Sequence, residues 1–395
     1  MESGHREGLE SLGPGRPEAG LLNNVAALAL REPRVDVLSA TASRIGLPAL
    51  NMTTGGLWRV QGMAGGEDAS LPPREFSVVV KLLQSPLLWS RIEQVPEEYR
   101  EALAANYPWR TEAEVYSSGL SEALPANSRL PELFRVVELG PDRTAIWMED
   151  IVPDGNPEWS DKHFRDAAWV LGLLAGTPEV RQCSEAIQDT RRPDRLKYFL
   201  SGVGDAVLIP AIKGPDLWEH PAIAAHSDPA LVEGLRSFAD QCPLLVDEMM
   251  TLPALPAHGD ACPQNFLIEG ADPVTGLTNF VLVDWGMFGE VCAGYDLGQL
   301  LAGRVNDGTL PGTALERLEP ICVDAYLDGL GRSASAVSRG EVRRGLAISM
   351  AVFAGLTAVV SDRLAEGDSA EVRSLMAGRL DMARFLLDLL VQTRP

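Results

Sequence analysis

Residues Pro256-Ala-His-Gly-Asp-Ala-Cys-Pro-Gln-Asn-Phe-Leu-Ile268 and, a short interval later, Phe280-Val-Leu-Val-Asp-Trp-Gly286 decide how this chain is read. Asp260, Asn265 and Asp284 sit among apolar residues with the length and composition of short buried strands. Paired as a hairpin, 266–268 and 280–283 would bring all three polar side chains to its open end. Two carboxylates and an amide gathered there can bind Mg²⁺ through oxygen and still leave one carboxylate as a base. The chemistry this suggests is phosphoryl transfer.

A chain of 395 residues can bury a sizeable core and is expected to divide in two. The sequence suggests a flexible arm over 1–20, rich in Gly, Pro and Glu, a first lobe over 21–151 and a second over 152–395. The net charge of −21 argues against nucleic acid or an anionic membrane as partner and suits a neutral or cationic small molecule. An acidic surface serves solubility equally well. Cys183, Cys242, Cys262, Cys292 and Cys322 are odd in number and form no CxxC pair. That pattern suits reduced thiols in a cytoplasmic protein better than a disulfide framework or a zinc site. The N-terminus carries neither a basic leader nor an apolar run, so no signal peptide is expected. The apolar segment 345–361 is short of the roughly 20 residues a membrane span needs and reads as a buried core helix.

Upstream of the motif, 21–30 has helical spacing and 35–42 reads as a lead-in to a sheet. Three strands are expected within 47–83, including Leu57-Trp-Arg-Val60 and Phe76-Ser-Val-Val-Val-Lys-Leu-Leu83, with a polar turn over 62–73. The first turn, Asn51-Met-Thr-Thr-Gly-Gly56, offers Thr54 and Gly55 as backbone that can approach phosphates closely, although many hairpins also turn on Gly-Gly. Lys81 interrupts an apolar strand, where an ammonium needs an anionic partner. It reads as a phosphate contact rather than as an edge-strand guard against aggregation. Residues 96–119 read as helical with a break at Pro108. Either Glu112 or Glu114 can turn inward to hold Lys81, and the i, i+4 relation to Tyr116 favours Glu112. Strands follow at 134–139 and 144–149, with a hinge at the change from apolar to acidic residues in Ile146-Trp-Met-Glu-Asp-Ile151. Beyond it the chain becomes helical, at 164–174, 316–327, 342–364 and 370–391. The region 188–255 is expected to face the substrate.

His258-Gly-Asp260, then Asn265, Asp284-Trp-Gly286 and Asp296-Leu297, resembles the aminoglycoside phosphotransferase family, small-molecule kinases of protein-kinase-like fold. Lys81, the segment Trp109–Tyr116 and Trp147-Met-Glu-Asp150 resemble that family's strand lysine, its glutamate-bearing helix and its hinge strand. The landmarks cover about residues 45–300. The resemblance implies a bilobal α/β (α+β) fold, with an antiparallel-sheet N-lobe and a mostly helical C-lobe. It implies ATP or GTP as co-substrate and Mg²⁺ as metal. Asp260 would be the catalytic base, Asn265 and Asp284 the metal ligands, and Lys81 held by Glu112 a phosphate contact. The carbonyl of Glu149 and the amide of Ile151 would meet the base, and Asp296 would anchor the catalytic loop. The acceptor would be a hydroxyl of an antibiotic, aminoglycoside-like or other, or of a metabolite such as choline, a sugar or homoserine.

Thr-Thr-Gly-Gly departs from the protein-kinase glycine loop, 269–279 lengthens the hairpin, and Pro86 and Pro96 interrupt the path from Lys81 to Glu112. Other chemistries find little to stand on. The sequence has no GxSxG, no HExxH and no GxxxxGK[ST]. His258 as a base, or Asp260 and Asp284 as a glycosidase pair, would leave Asn265 and Lys81 without a role. A silent nucleotide-binding relative acting through protein contacts is the rival from another class.

Overall fold

The computed structural model describes residues 8–46, 52–68, 70–151, 158–187, 195–331 and 337–394. The chain divides into two compact units, Met1–Gly119 with Leu130–Pro153, and Leu120–Arg129 with Asp154–Pro395. The sequence suggests a first unit unbroken from 21 to 151. Instead 120–129 belongs with the second, because Ser128 and Arg129 pair with a strand there.

The first unit is built on an antiparallel sheet. Its strands are β1 (Val35–Arg44), β2 (Thr54–Gly66), β3 (Arg74–Gln84), β5 (Leu133–Glu138) and β6 (Arg143–Glu149), in the order β1-β2-β3-β6-β5. Helix α1 (Ala19–Leu30) lays Leu22, Val25 and Ala26 on one sheet face, against Val60, Phe76, Val78, Val80 and Trp147. Side chains alternate between faces along a strand, so these even-numbered residues of β2 and β3 form the core and the odd-numbered ones line the opposite face. Two short helices, α2 (Glu97–Asn106) and α3 (Thr111–Ser117), flank the expected break at Pro108.

The structure departs from the sequence reading at three places in this unit. Residues 9–15 form a 3₁₀ turn whose Leu12 is fully buried in this core, so this part of the suggested arm is packed. Residues 35–44 are a strand pairing with β2 along nearly its full length, not a lead-in. Thr54 and Gly55 lie in β2 rather than in a turn, with a bulge in the register between Thr54 and Gly56 opposite Leu83 and Leu82. The glycine at 56 is explained by packing, since a Cβ there would strike the indole of Trp58. Asn51, the start of the first expected strand at 47–50 and the expected Pro153–Gly155 turn lie outside the described residues.

The second unit is mostly helical. It contains α4 (Leu120–Ala123), α5 (Asp161–Gly176), α6 (Pro178–Ala186), α7 (Arg195–Phe199), α8 (Ile209–Lys213), α9 (Asp216–Glu219), α10 (Pro221–Ala224) and α11 (Pro229–Met249), followed by α12 (Tyr295–Asn306), α13 (Leu315–Leu330), α14 (Arg339–Met350), α15 (Leu356–Val359) and α16 (Ala370–Gln392). Helices α5 and α13 cross backbone to backbone at Gly172 and Gly329, where any Cβ would strike a carbonyl of the other helix. Two small sheets carry the motif: β4 (Ser128–Arg129) with β9 (Thr278–Leu282) and β8 (Phe266–Ala271), and β10 (Gly289–Cys292) with β7 (Ala254–Ala257). The helical run Arg339–Glu366, with mean hydropathy 1.7, is long and apolar enough to cross a membrane, but 72% of its most apolar window is buried within the chain.

Candidate active site

Strands β8 and β9 do pair as an antiparallel hairpin, with Phe266 opposite Leu282. The ladder extends one step further, because Val283 N donates to the Asn265 carbonyl at 3.0 Å. Asn265 and Asp284 therefore stand at the same end of one hairpin. The longer connection closes on an Asx turn, in which Asp272 Oδ1 accepts from the amides of Val274 and Thr275. Below the ladder Trp159, Phe164, Phe266 and Phe280 pack edge to face or stacked, which fixes the hairpin from its apolar side. Asp166, buried on α5, ties β9 down by accepting from Thr278 N at 2.9 Å and Thr278 Oγ1 at 2.8 Å. Burial alone would raise its pKa, but hydrogen bonds from Lys162, Thr278 and Arg165 outweigh this and hold it below the usual carboxylate value.

The turn between β7 and β8 is held from behind by one carboxylate. Asp296, 3% exposed at the first turn of α12, accepts from His258 N at 2.8 Å through Oδ2 and from Gly259 N at 2.9 Å through Oδ1. Burial raises its pKa to about 6, against the opposing pull of those two amides. His258 is fully buried and makes two bonds of opposite kind. Its Nδ1 accepts from Asp260 N at 3.3 Å, so its Nε2 is the protonated nitrogen and donates to the Val283 carbonyl at 3.1 Å. With both ring nitrogens engaged, His258 bridges the 258–260 turn and the hairpin and is no free base.

Asp260 then projects from a turn fixed on both sides. Asn265 Nδ2 donates to the Asp260 carbonyl at 2.8 Å and to its carboxylate Oδ2 at 3.1 Å. That use of the amide nitrogen leaves Asn265 Oδ1 as an oxygen donor with no protein partner among the described residues. Asp284 adopts a left-handed backbone (φ 63°, ψ 60°), uncommon for a residue with a side chain and best tolerated by Asp and Asn. Carboxylate and amide oxygens are the hard donors Mg²⁺ takes. Among the described residues no group of three His, Cys, Asp or Glu side chains could hold a metal alone. A two-residue oxygen set fits a metal that completes its shell with water and phosphate. Cys262 belongs to the same loop, and its thiol is pushed up first by burial and then by the charges of Asp260 and Asp284, which disfavours a nucleophilic thiolate.

In the first unit Lys81 Nζ stands 2.5 Å from Glu112 Oε2, with side chains 7% and 3% exposed. The break at Pro108 sets α3 so that Glu112 and Tyr116 share its packed side, with Tyr116 Oη donating to Met148 Sδ at 3.3 Å. Glu149 ends β6, and its side chain accepts from Glu132 N at 3.0 Å; Ile151 follows, half-buried and outside any strand or helix. Asp150 between them is turned back into the sheet rather than outward.

One residue of the second unit escaped the sequence reading. Arg195 on α7 donates through Nη1 to the Met287 carbonyl and packs on Gly259, joining the 258–260 turn to the 284–287 turn. In the sequence it stands in the charged run Arg191-Arg-Pro-Asp-Arg195, where no motif marks it.

No family model and no curated protein matches this sequence. Solved structures similar to it include a microcompartment-associated aminopropanol kinase, at 12% identity and TM-score 0.46 over 89% of this chain and 95% of that one. An aminoglycoside phosphotransferase from Alicyclobacillus acidocaldarius has 12% identity and TM-score 0.47 over 89% and 92%. A choline/ethanolamine kinase family protein from Mesorhizobium loti has 16% identity and TM-score 0.44 over 89% and 92%.

Proposed function

We propose that this chain is a small-molecule kinase that transfers the γ-phosphoryl group of ATP or GTP to a hydroxyl of its acceptor. The observation that carries the reading is the double clamp on Asp260. Asp296 fixes the two preceding amides, and Asn265 donates to both the carbonyl and the carboxylate of Asp260. A carboxylate held this way, one loop away from an oxygen pair suited to Mg²⁺, is what phosphoryl transfer asks of a protein: position and charge balance.

Asp260 accepts the proton of the acceptor hydroxyl as its oxygen bonds to the γ-phosphorus. The bond from that phosphorus to the bridging oxygen breaks, and the electron pair leaves with the nucleoside diphosphate. Asn265 Oδ1 and Asp284 are the groups that would hold Mg²⁺, which supplies neutralisation of the phosphate charge when bound. Lys81, oriented by Glu112, contacts phosphate oxygens, and the backbone at Thr54 and Gly55 lies against them. The Glu149 carbonyl and Ile151 amide receive the base.

The acceptor is a small alcohol, antibiotic or metabolite, and the surplus of acidic side chains favours a cationic one. Wild type and Asp260→Asn are compared for Mg²⁺-dependent phosphorylation of a panel of aminoglycosides, other antibiotics and amino alcohols, read by mass spectrometry. Phosphorylated product with wild type and at least about a hundredfold less with the variant is expected. Equal turnover by both would remove Asp260 from its role, and no product across the panel with no binding of Mg²⁺ and ATP would remove the kinase reading.

A further inference from the structure

The sheet face that carries Lys81 holds a second fixed cation. By strand alternation Leu57, Arg59 and Gln61 of β2 and Ser77, Val79 and Lys81 of β3 share this face, the one α1 does not cover. Arg59 stands opposite Val79 in the register, and Lys81 lies two residues further along β3, about 7 Å away by strand geometry. In the other direction comes Ser77, beside the end of β6 and the Glu149–Ile151 backbone. Arg59 thus occupies the interval between the phosphate contact and the base contact of the proposed nucleotide site.

Its side chain is held at one point. Arg59 Nε donates to Asp150 Oδ2 at 2.7 Å, and Ser77 Oγ donates to the same oxygen at 2.5 Å. Asp150 is 2% exposed in its side chain, while Arg59 keeps 34%. The other carboxylate oxygen, Asp150 Oδ1, is buried with no hydrogen-bond partner, and no described residue accepts from Nη1 or Nη2 of Arg59. Two other arginine pairs of this protein, unlike Arg59–Asp150, close both prongs. Arg344 binds Glu248 through Nε at 2.7 Å and Nη2 at 2.6 Å, and Arg129 binds Glu269 at 2.9 and 2.6 Å. At Arg59 the fork stays half used and the guanidinium plane is fixed at its edge, which leaves its flat face for an aromatic partner.

Resting on the kinase reading, we propose that Arg59, oriented by Asp150 and Ser77, is the platform on which the nucleobase stacks. A guanidinium over an aromatic ring is favourable by cation–π attraction, and more so for the larger ring system of a purine than for a pyrimidine. The site therefore selects purine nucleotides through a charged, planar side chain.

The test measures binding of Mg²⁺-ATP, Mg²⁺-CTP and Mg²⁺-tripolyphosphate by calorimetry to wild type, Arg59→Ala and Arg59→Lys. The lysine variant keeps a cation beside the buried Asp150, so it retains the fold if the alanine variant does not. ATP binding is expected to weaken about tenfold in either variant, the ATP-over-CTP preference to shrink, and tripolyphosphate binding to change less than about twofold. Equal losses for ATP and tripolyphosphate would make Arg59 a phosphate contact and overturn the proposal, as would unchanged ATP binding in both variants. If wild type binds none of the three, the kinase reading itself is overturned, an outcome distinct from a failure of Arg59 alone.

Discussion

The side-chain amide of Asn265 donates twice to one residue, to the Asp260 carbonyl at 2.8 Å and to the Asp260 carboxylate at 3.1 Å. This link couples the proposed base to the proposed metal site, because the same amide that restrains Asp260 has its oxygen left for a cation. Asn265→Asp would put a carboxylate where a donor stood. Two like charges at that separation raise the pKa of the base, so Asp260 stays protonated to higher pH. We expect the acid limb of kcat/KM against pH to move upward by about one unit, with the loss of activity confined to the acid side. An unmoved limb would show that the link does not tune Asp260.

Lys81 and Glu112 form the buried ion pair of the first unit. Taking away one partner of such a pair is expected to cost about 3–5 kcal/mol, whereas replacing both with apolar groups of similar size is close to neutral. Lys81→Met alone should therefore lower the melting temperature more than Lys81→Met with Glu112→Leu. Both forms should lose Mg²⁺-ATP binding. Recovery of stability without recovery of binding, read by thermal melts and calorimetry, would separate the fold role of this pair from its proposed nucleotide role.

The site was legible in the sequence where polar residues broke apolar runs. Asp260, Asn265, Asp284 and Lys81 each interrupt strand-like stretches, and only a partner justifies a polar group there. What stayed hidden had no local contrast. Leu12 is one apolar residue in a Gly- and Pro-rich segment, yet it is fully buried. Gly55-Gly56 look like a turn, but the absent Cβ at 56 makes room for the Trp58 ring within a strand. Asp150 looks like a solvated acid after a strand, and only the register places it against Arg59 and Ser77. Strand pairing is non-local, so the residues around Asp150 carry no sign of the side chains its carboxylate meets across the sheet.

Gly259 and Gly286 flank the site and differ in their need for glycine. Gly259 has φ +82°, and a Cβ there would strike the Met287 carbonyl and the Arg195 guanidinium. Gly286 lacks a positive φ, and its nearest contact would be Asp284 Oδ1 at 3.8 Å, ordinary van der Waals distance. Gly259→Ala is expected to destabilise by about 3 kcal/mol or more, combining left-handed strain with backbone displacement. Gly286→Ala should stay within about 1 kcal/mol of wild type. Chemical denaturation of the two variants checks this, and equal losses would mean the 258–260 turn relaxes freely.

Asp296 couples the stability of this turn to pH. Its carboxyl titrates near 6 in the folded chain, against 3.8 as the ordinary value, because burial outweighs the stabilising amides of Gly259 and His258. A folded-state pKa above the unfolded one means the folded chain holds this proton more tightly. The stability from this group is therefore fully present below about pH 4, falls as pH rises from 4 to 6, and is flat above. Asp296→Asn removes the titration and turns one acceptor into a donor facing a backbone N–H, at a cost of about 1–3 kcal/mol. The difference in stability between wild type and Asp296→Asn should narrow as pH rises from 4 to 6 and then hold constant. Turnover should report the complementary event, since the ionised carboxylate is the better acceptor for the two amides that aim Asp260. Wild-type activity is expected to decline below pH 6 while the folded fraction stays constant, and a stability difference independent of pH would show that Asp296 remains ionised throughout.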